Sequence, residues 1–126
     1  MCHQSVALAA RHLEENGIPT VVFGCARDIV ERCGVARFVW SDFPLGNPTG
    51  KPWDVSMQRE IVGIGLGLLE SARAPVTVTT PYAWGPDESW KVKCFTKERP
   101  FLTVDATEKW LRRKEAYRQM KAGGPA

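Results

Sequence analysis

Thr20-Val21-Val22-Phe23-Gly24-Cys25 is the stretch that sets the fold. Its apolar character is continuous rather than alternating, which marks a strand buried on both faces, as the strands of a parallel sheet are. Gly17-Ile18-Pro19 leads into it, so the strand spans Ile18 to Phe23. Gly24-Cys25 then turns the chain into a short helix, Ala26 to Cys33, closed by Gly34. A second apolar run, Val35 to Trp40, follows at once. Strand, short helix and strand within so few residues is the signature of a parallel pair with a helical crossover.

Working outward, Gln4 to Asn16 reads as a helix with Val6, Ala9, Ala10 and Leu13 on its apolar face and Gly17 as its left-handed cap. Downstream, Ser41 to Pro52 holds three prolines and two glycines and reads as a shaped loop whose length suggests a function. Asp54 caps a long helix to about Ala72, with Ile61, Ile64, Leu68 and Leu69 as its core face. Pro75 ends that connection, and Val76 to Thr80 is a third strand. Trp84 to Phe95 shows no clear period. Asp105-x-x-Glu108 reads as a capping box for a final helix to about Met120, and Gly123 to Ala126 as a frayed tail. Gly63-x-Gly65-x-Gly67 lies inside the long helix and matches no phosphate-binding pattern; close packing against a sheet or a subunit is its expected cause.

The order helix, strand, helix, strand, helix, strand, helix argues for an α/β fold. It is a three-layer, mainly parallel, Rossmann-like sheet with helices on both faces. Residues 1–104 form the α/β domain, and 105–126 the C-terminal helix and tail. Right-handed crossovers are expected, and the turns after the strands share one edge, where ligands bind in such folds. No apolar run precedes the first helix. The sheet is therefore expected to lack its first strand and to offer Ile18–Phe23 as an open edge to a partner chain.

With 126 residues, 44% hydrophobic, the chain is long enough for one real core. The net charge of +3 is mild. Its excess collects in Lys109, Arg112, Arg113, Lys114, Arg118 and Lys121, a solvated helix face rather than a nucleic-acid surface. No run spans a bilayer and no leader is visible, so a cytoplasmic location without membrane contact is expected. The four cysteines, Cys2, Cys25, Cys33 and Cys94, form no paired-ligand pattern, and no metal site or resident cofactor is expected. Five tryptophans, Trp84 and Trp90 among them, point to core or interface packing.

The sheet edge gathers the candidate chemistry. Cys2 begins the first helix, where unpaired amides and the dipole favour a thiolate. Ser5, one turn on, is placed to donate to the sulfur, and His3 to accept its proton. Cys25 starts the next helix, and its pKa is expected to fall for the same reason. Cys33 and Cys94 read as structural. In the loop, Asp42 is a candidate to bind a substrate amine or to close a turn. Gly46 and Asn47 offer backbone and polar contacts, and Pro44 and Pro48 stiffen the loop.

Cys2-His3-Gln4-Ser5, Gly17-Ile18-Pro19-Thr20-Val21-Val22 and Asp42-Phe43-Pro44-Leu45-Gly46-Asn47-Pro48 with Gly50-Lys51-Pro52 together resemble the selenoprotein B family. These are the substrate-handling subunits of glycine, sarcosine, betaine and D-proline reductases and their cysteine-containing relatives. The resemblance covers roughly residues 2–75, and the Asp-Phe-Pro-Leu-Gly loop is its most specific part. It implies reductive cleavage of a carbon–nitrogen bond in a small amine or carboxylate substrate. A selenocysteine or cysteine before the first helix attacks, further thiols complete turnover, and an external thiol or selenoprotein donates electrons. In the family pattern the selenocysteine lies a few residues before a cysteine matching Cys2, and some members have a cysteine where this chain has Ser5. The implied role is a subunit of a hetero-oligomeric thiol-dependent reductase. The alternative is a non-catalytic partner that completes the fold and active site of another chain.

Overall fold

The computed structural model describes residues 2–95 and 104–122, with only the backbone of 93–95, 106–107 and 121–122. Two compact units divide the chain, Met1–Lys91 and Val92–Ala126. The elements run α1 (Cys2–Glu15), β1 (Val22–Gly24), α2 (Arg27–Cys33), β2 (Arg37–Trp40), α3 (Val55–Ser71), β3 (Val76–Thr79), α4 (Ser89–Phe95) and α5 (Val104–Ala122). The tail at 123–126 lies outside the described residues.

The first unit is the expected α/β fold. Its three strands are all parallel, in the order β1-β2-β3, with Phe23 opposite Val39 and Val39 opposite Val78. Successive side chains of a strand point to opposite faces, and each face has its own core. Val22 and Phe38 pack with Ala10 of α1 and Val30 of α2. Val39 packs with Ile61 of α3 and with Phe43, and Phe23, Met57, Ile64 and Leu68 close around them. Thus α1 and α2 lie on one face and α3 on the other. The strands advance in one direction while their two crossover helices lie on opposite faces. The two connections therefore have opposite hands, and only one obeys the right-handed expectation.

The caps expected at Gly17, Gly34 and Asp54 form. The Asp54 carboxylate accepts the Met57 amide at 3.1 Å and starts α3. Gly34 ends α2 with φ 71°, and Gly17 follows α1 with φ 79°. The strands are shorter than the apolar runs: β1 begins only at Val22 and β2 at Arg37, although the Ala36 carbonyl already accepts the Val76 amide of β3 at 3.0 Å. On α1 the buried residues are Ala7 and Ala10. The expected apolar face is displaced, and Val6 and Leu13 stand 50% and 37% exposed. Small residues let the helix lie close to the sheet, so the alanine stripe, not the larger aliphatics, faces inward.

At the far end of α1, Glu14 Oε1 accepts the Thr20 amide (2.5 Å), the Thr20 hydroxyl (2.8 Å) and Arg37 Nη1 (2.9 Å). Arg37 Nε also donates to the Leu68 carbonyl at 3.2 Å, which brings the end of α3 into the same network. The Thr20 amide holds the Glu14 carboxyl below its ordinary range against the opposing effect of desolvation, and the Thr20 hydroxyl and Arg37 add to it.

Of the glycines in α3, Gly65 is buried against β1. A Cβ there would stand 2.7 Å from Cε1 of the Phe23 ring and closer still to its tip, whereas Gly63 and Gly67 face open space. The expected close helix–sheet packing therefore explains Gly65 alone.

In the second unit, α5 is exposed at most of its described positions. Asp105 sits inside the helix rather than capping it, and it pairs with Lys109 at 2.9 Å. Glu108 pairs with Arg112 at 3.8 Å, and Lys114 Nζ lies 4.6 Å from the Trp110 ring centre. Such exposed pairs contribute little each.

Urea titration checks the glycine account. Gly65→Ala loses about 1–3 kcal/mol through overpacking, while Gly63→Ala and Gly67→Ala each gain about 0.5–1 kcal/mol by removing backbone freedom from the unfolded chain. The same measurement checks Glu14→Gln, which is expected to cost about 1–2 kcal/mol near neutral pH. Because the folded carboxyl titrates below the unfolded one, its contribution is complete above the ordinary glutamate range and is lost as pH falls through the folded value. The gap between wild type and variant therefore closes in acid.

Candidate functional site

Three parallel strands end together at Gly24, Trp40 and Thr79, and the ladder runs one step beyond them. Ser41 N donates to Gly24 O at 3.0 Å and Thr80 N to Trp40 O at 2.9 Å. From this edge leave the Cys25 turn, the loop after β2 and the segment after β3. The N-terminal end of α1 arrives at the same edge. Cys2, His3 and Val6 of α1, Val22 and Phe23 of β1, and Leu45, Gly46 and Pro48 of the loop line one groove of about 430 Å³.

The loop after β2 is held by its own bonds. Buried Ser41 donates to the Pro48 carbonyl at 2.8 Å, and the Asn47 amide donates to the Pro44 carbonyl at 3.1 Å. Gly46 and Gly50 take φ of 97° and 117°, left-handed values that favour glycine. The shaped loop expected from its prolines and glycines is therefore a set of fixed turns.

Cys2 is exposed in the first turn of α1, and Ser5, one turn on, is exposed too. His3 is part-buried and points at the Cys25 turn, where its Nε2 accepts the Cys25 amide at 3.1 Å and the Ala26 amide at 3.3 Å. Cys25 is half-buried and fixed at two further atoms. Its sulfur donates to the Pro44 carbonyl at 3.6 Å, and its carbonyl accepts the Trp40 indole N–H at 3.0 Å. Burial pushes the Cys25 thiol up, the Asn47 and Phe43 amides oppose this, and the Asp42 charge adds to it. The lowering expected from the start of α2 is not what this position produces, because desolvation outweighs the nearby amides. Cys33 is half-buried at the end of α2, and its carbonyl accepts Arg11 Nη1 at 3.0 Å. Cys94 lies in α4 by its backbone, and its side chain is outside the described residues.

Of the expected substrate contacts, Gly46 lines the groove, while Pro44 and Asn47 surround the Cys25 sulfur. Asp42 also faces the other way. Its Oδ2 accepts Lys91 Nζ at 2.7 Å, and Glu88 accepts the same ammonium at 2.8 Å. A second cavity of about 260 Å³ lies here, with Asp42, Tyr82, Trp84, Asp87, Glu88 and Trp90 in its wall. Trp84 packs on Phe43 with ring centres 5.4 Å apart, and the Tyr82 hydroxyl donates to Glu60. Bonds from Asp42, then Glu88, hold the Lys91 ammonium protonated above its usual range.

Sequence reasoning missed Lys91 and Trp53. Lys91 is 49 positions from Asp42 in a stretch without period, and no local pattern pairs them. Trp53 is 96% exposed with φ 66°, a strained conformation for an aromatic residue just before the Asp54 cap. The turn residues Gly50 and Pro52 around it were the available signal. Among the described residues no group of three His, Cys, Asp or Glu side chains is placed to hold a metal, and no helix is long and apolar enough to cross a membrane.

No family model matches the chain, and no solved structure matches it. It is similar to the D-proline reductase subunit gamma of Acetoanaerobium sticklandii, with 33% identity over 84 residues. The match covers 66% of this chain and 35% of that relative, so the chain spans about a third of the length of the curated protein it matches.

Asp42→Asn removes the negative charge that opposes a thiolate at Cys25 and leaves Glu88 as the carboxylate paired with Lys91. Alkylation of Cys25 by iodoacetamide at neutral pH, read by mass mapping, is expected to speed up by about two- to fivefold, with Cys33 unchanged.

Proposed function

We propose that the chain is a subunit of a thiol-dependent reductase that cleaves a carbon–nitrogen bond in a small amine or carboxylate substrate. The observation that carries this reading is the similarity to a D-proline reductase subunit. The placement of Cys2 and the Cys25 turn at one sheet edge supports it. Selenoprotein B-like handling of the substrate is the finer form of the same proposal.

The chemistry balances with two thiols. A thiolate attacks the carbon of the C–N bond, a carbon–sulfur bond forms, and the electron pair leaves on nitrogen, which takes up a proton. A second thiolate then attacks that sulfur. A disulfide forms, and the pair from the C–S bond passes to carbon, which gains a proton. An external thiol or selenoprotein donor reduces the disulfide. In this reading Cys2 is the nucleophile or the resolving thiol, Ser5 hydrogen-bonds its sulfur and Cys25 is an auxiliary thiol. Asp42, Pro44, Gly46 and Asn47 shape the substrate side. Asp42 already holds one ammonium, that of Lys91, so its carboxylate suits an amine. No resident cofactor or metal is invoked, and the location proposed is the cytoplasm.

Two features favour work within a hetero-oligomer. Among the described residues, β1 pairs on one side only, and the apolar groove runs along it. Trp53 stands exposed in a strained conformation. The alternative, a non-catalytic subunit that completes another chain's site, draws on the same two features.

Isolation of the complex from native cells, followed by assay with D-proline and dithiothreitol, separates these. Co-purification of this chain with a second polypeptide and formation of the ring-opened amino acid are expected. Activity should fall about a hundredfold or more in Cys2→Ser. Full activity in both Cys2→Ser and Cys25→Ser leaves the partner reading. A lone monomer without activity overturns both.

A further inference from the structure

The Ncap residue of α2 is Ala26, which has no side chain able to cap and makes no cap bond of its own. Its amide is one of the donors that a helix start leaves without an intrahelical partner. The acceptor comes from another helix. His3 Nε2 receives the Ala26 amide at 3.3 Å and the Cys25 amide at 3.1 Å. Gly24 makes the approach feasible, since a Cβ there would stand 3.1 Å from His3 Cδ2.

We propose that His3 is the positioning residue of the Cys25 turn, a neutral imidazole whose protonation releases that turn. A neutral ring has one acceptor nitrogen and one N–H. With Nε2 taking two amides, the proton is on Nδ1. The ring then has no acceptor left for the Cys2 thiol, so His3 serves the turn rather than acting as the base for Cys2. A second proton must go on Nε2, where it would face two N–H donors. Protonation and the two bonds are mutually exclusive.

Cys25 is thus held at its amide by His3, at its carbonyl by Trp40 and at its sulfur by Pro44. Of these three holders only His3 carries an ionisable side chain; the others are an indole N–H and a backbone carbonyl. The titratable and charged groups at the ends of the elements that meet the ring are Cys2 on α1, Cys25 in the turn, Arg27 and Asp28 in the first turn of α2, and Asp42 in the loop after β2; Arg11, His12, Glu14 and Glu15 lie in the later turns of α1, and Glu31, Arg32 and Cys33 in the last turn of α2. Arg27 is engaged by Glu31 at 2.9 Å and lies 5.3 Å from the Trp40 ring centre, and Asp42 is engaged by Lys91. The ring's contacts to the turn are the two amides, so its own protonation sets the state of the latch. The consequence for chemistry, acid-driven loss of a correctly presented Cys25, rests on the thiol-dependent reading; the latch itself does not.

Nitrogen-15 NMR of the full chain tests it directly, with only His3 and His12 to assign. At neutral pH the His3 ring is expected as the Nδ1–H tautomer. On protonation, exchange of the Cys25 and Ala26 amides, corrected for intrinsic pH dependence, should rise about tenfold, while that of Val39 in the central strand holds. His3→Gln, which offers an oxygen acceptor that does not titrate, should keep those amides protected with a flat pH profile. His3→Leu should expose them at every pH. An Nε2–H tautomer at neutral pH, or a wild-type exchange profile as flat as that of His3→Gln, overturns the proposal. The tautomer is read on the unmodified chain, so misfolding of a variant does not blunt the test. Loss of reductase activity in a Cys2 variant bears on the thiol reading and leaves the tautomer result as it stands.

Discussion

One oxygen of Glu14 accepts three hydrogen bonds, two from Thr20 and one from Arg37, and the placement of everything at the sheet edge depends on it. Thr20 leads into β1 and Arg37 begins β2, so the carboxylate fixes the end of α1 against both strands. α1 has 14 residues, and at about 1.5 Å per residue it carries that fixed point about 21 Å to the opposite edge. There Cys2 and His3 emerge, and the His3 bonds to the Cys25 turn make a second fixed point. A rigid rod held at both ends has little freedom to roll. The alanines at positions 7 and 10 suit that geometry, because they set the helix close to the sheet without a large side chain to displace it.

The two thiols at that edge differ in kind. Cys2 is exposed, while Cys25 is half-buried with its thiol pushed up by desolvation. Around the Cys25 sulfur the loop nevertheless supplies amides from Phe43 and Asn47 that favour a thiolate. Here opposing effects are close in space, and the sign of the result depends on how much water reaches the sulfur. A ligand or partner chain that closes the groove would deepen burial, and one that brings positive charge near Asp42 would offset it. The reactivity of Cys25 is thus a property of the loop as much as of the turn.

Much of the fold was legible because it rests on local rules. The continuous apolar run before Gly24 gave a buried parallel strand, Gly34 ended a helix and Asp54 began one. The failures have a common cause, competition from tertiary contacts. Periodicity puts Val6, Ala9, Ala10 and Leu13 on the apolar face of α1; of these only Ala10 is buried, together with Ala7, because proximity to the sheet selects small residues. Asp105 matched a cap pattern, yet the helix starts before it, and an acidic residue in a first turn serves the dipole equally well. The start of α2 alone predicts a lowered Cys25 thiol, whereas its burial, set by the loop across the edge, raises it. Lys91 and Asp42 meet only after the sheet is assembled, and no spacing announces them.

The groove beside β1 joins assembly to chemistry. Its walls are the N-terminal end of α1 and the loop after β2, and its floor includes Val22 and Phe23. Backbone groups along the open side of an edge strand call for an extended partner. A strand added there would lie between the Cys2 helix and the Leu45–Pro48 turn. It would cover the exposed Val6 and Leu45 side chains and take water away from the Cys2 thiol in the groove wall and from the loop that packs on Cys25. Burial raises the cost of each uncompensated charge but strengthens every bond that remains, so the loop amides around Cys25 would count for more after closure than before. On this argument a catalytic subunit and a completing subunit are not opposed descriptions. The surface that would recruit another chain is also the surface whose enclosure would set the reactivity of the sulfur.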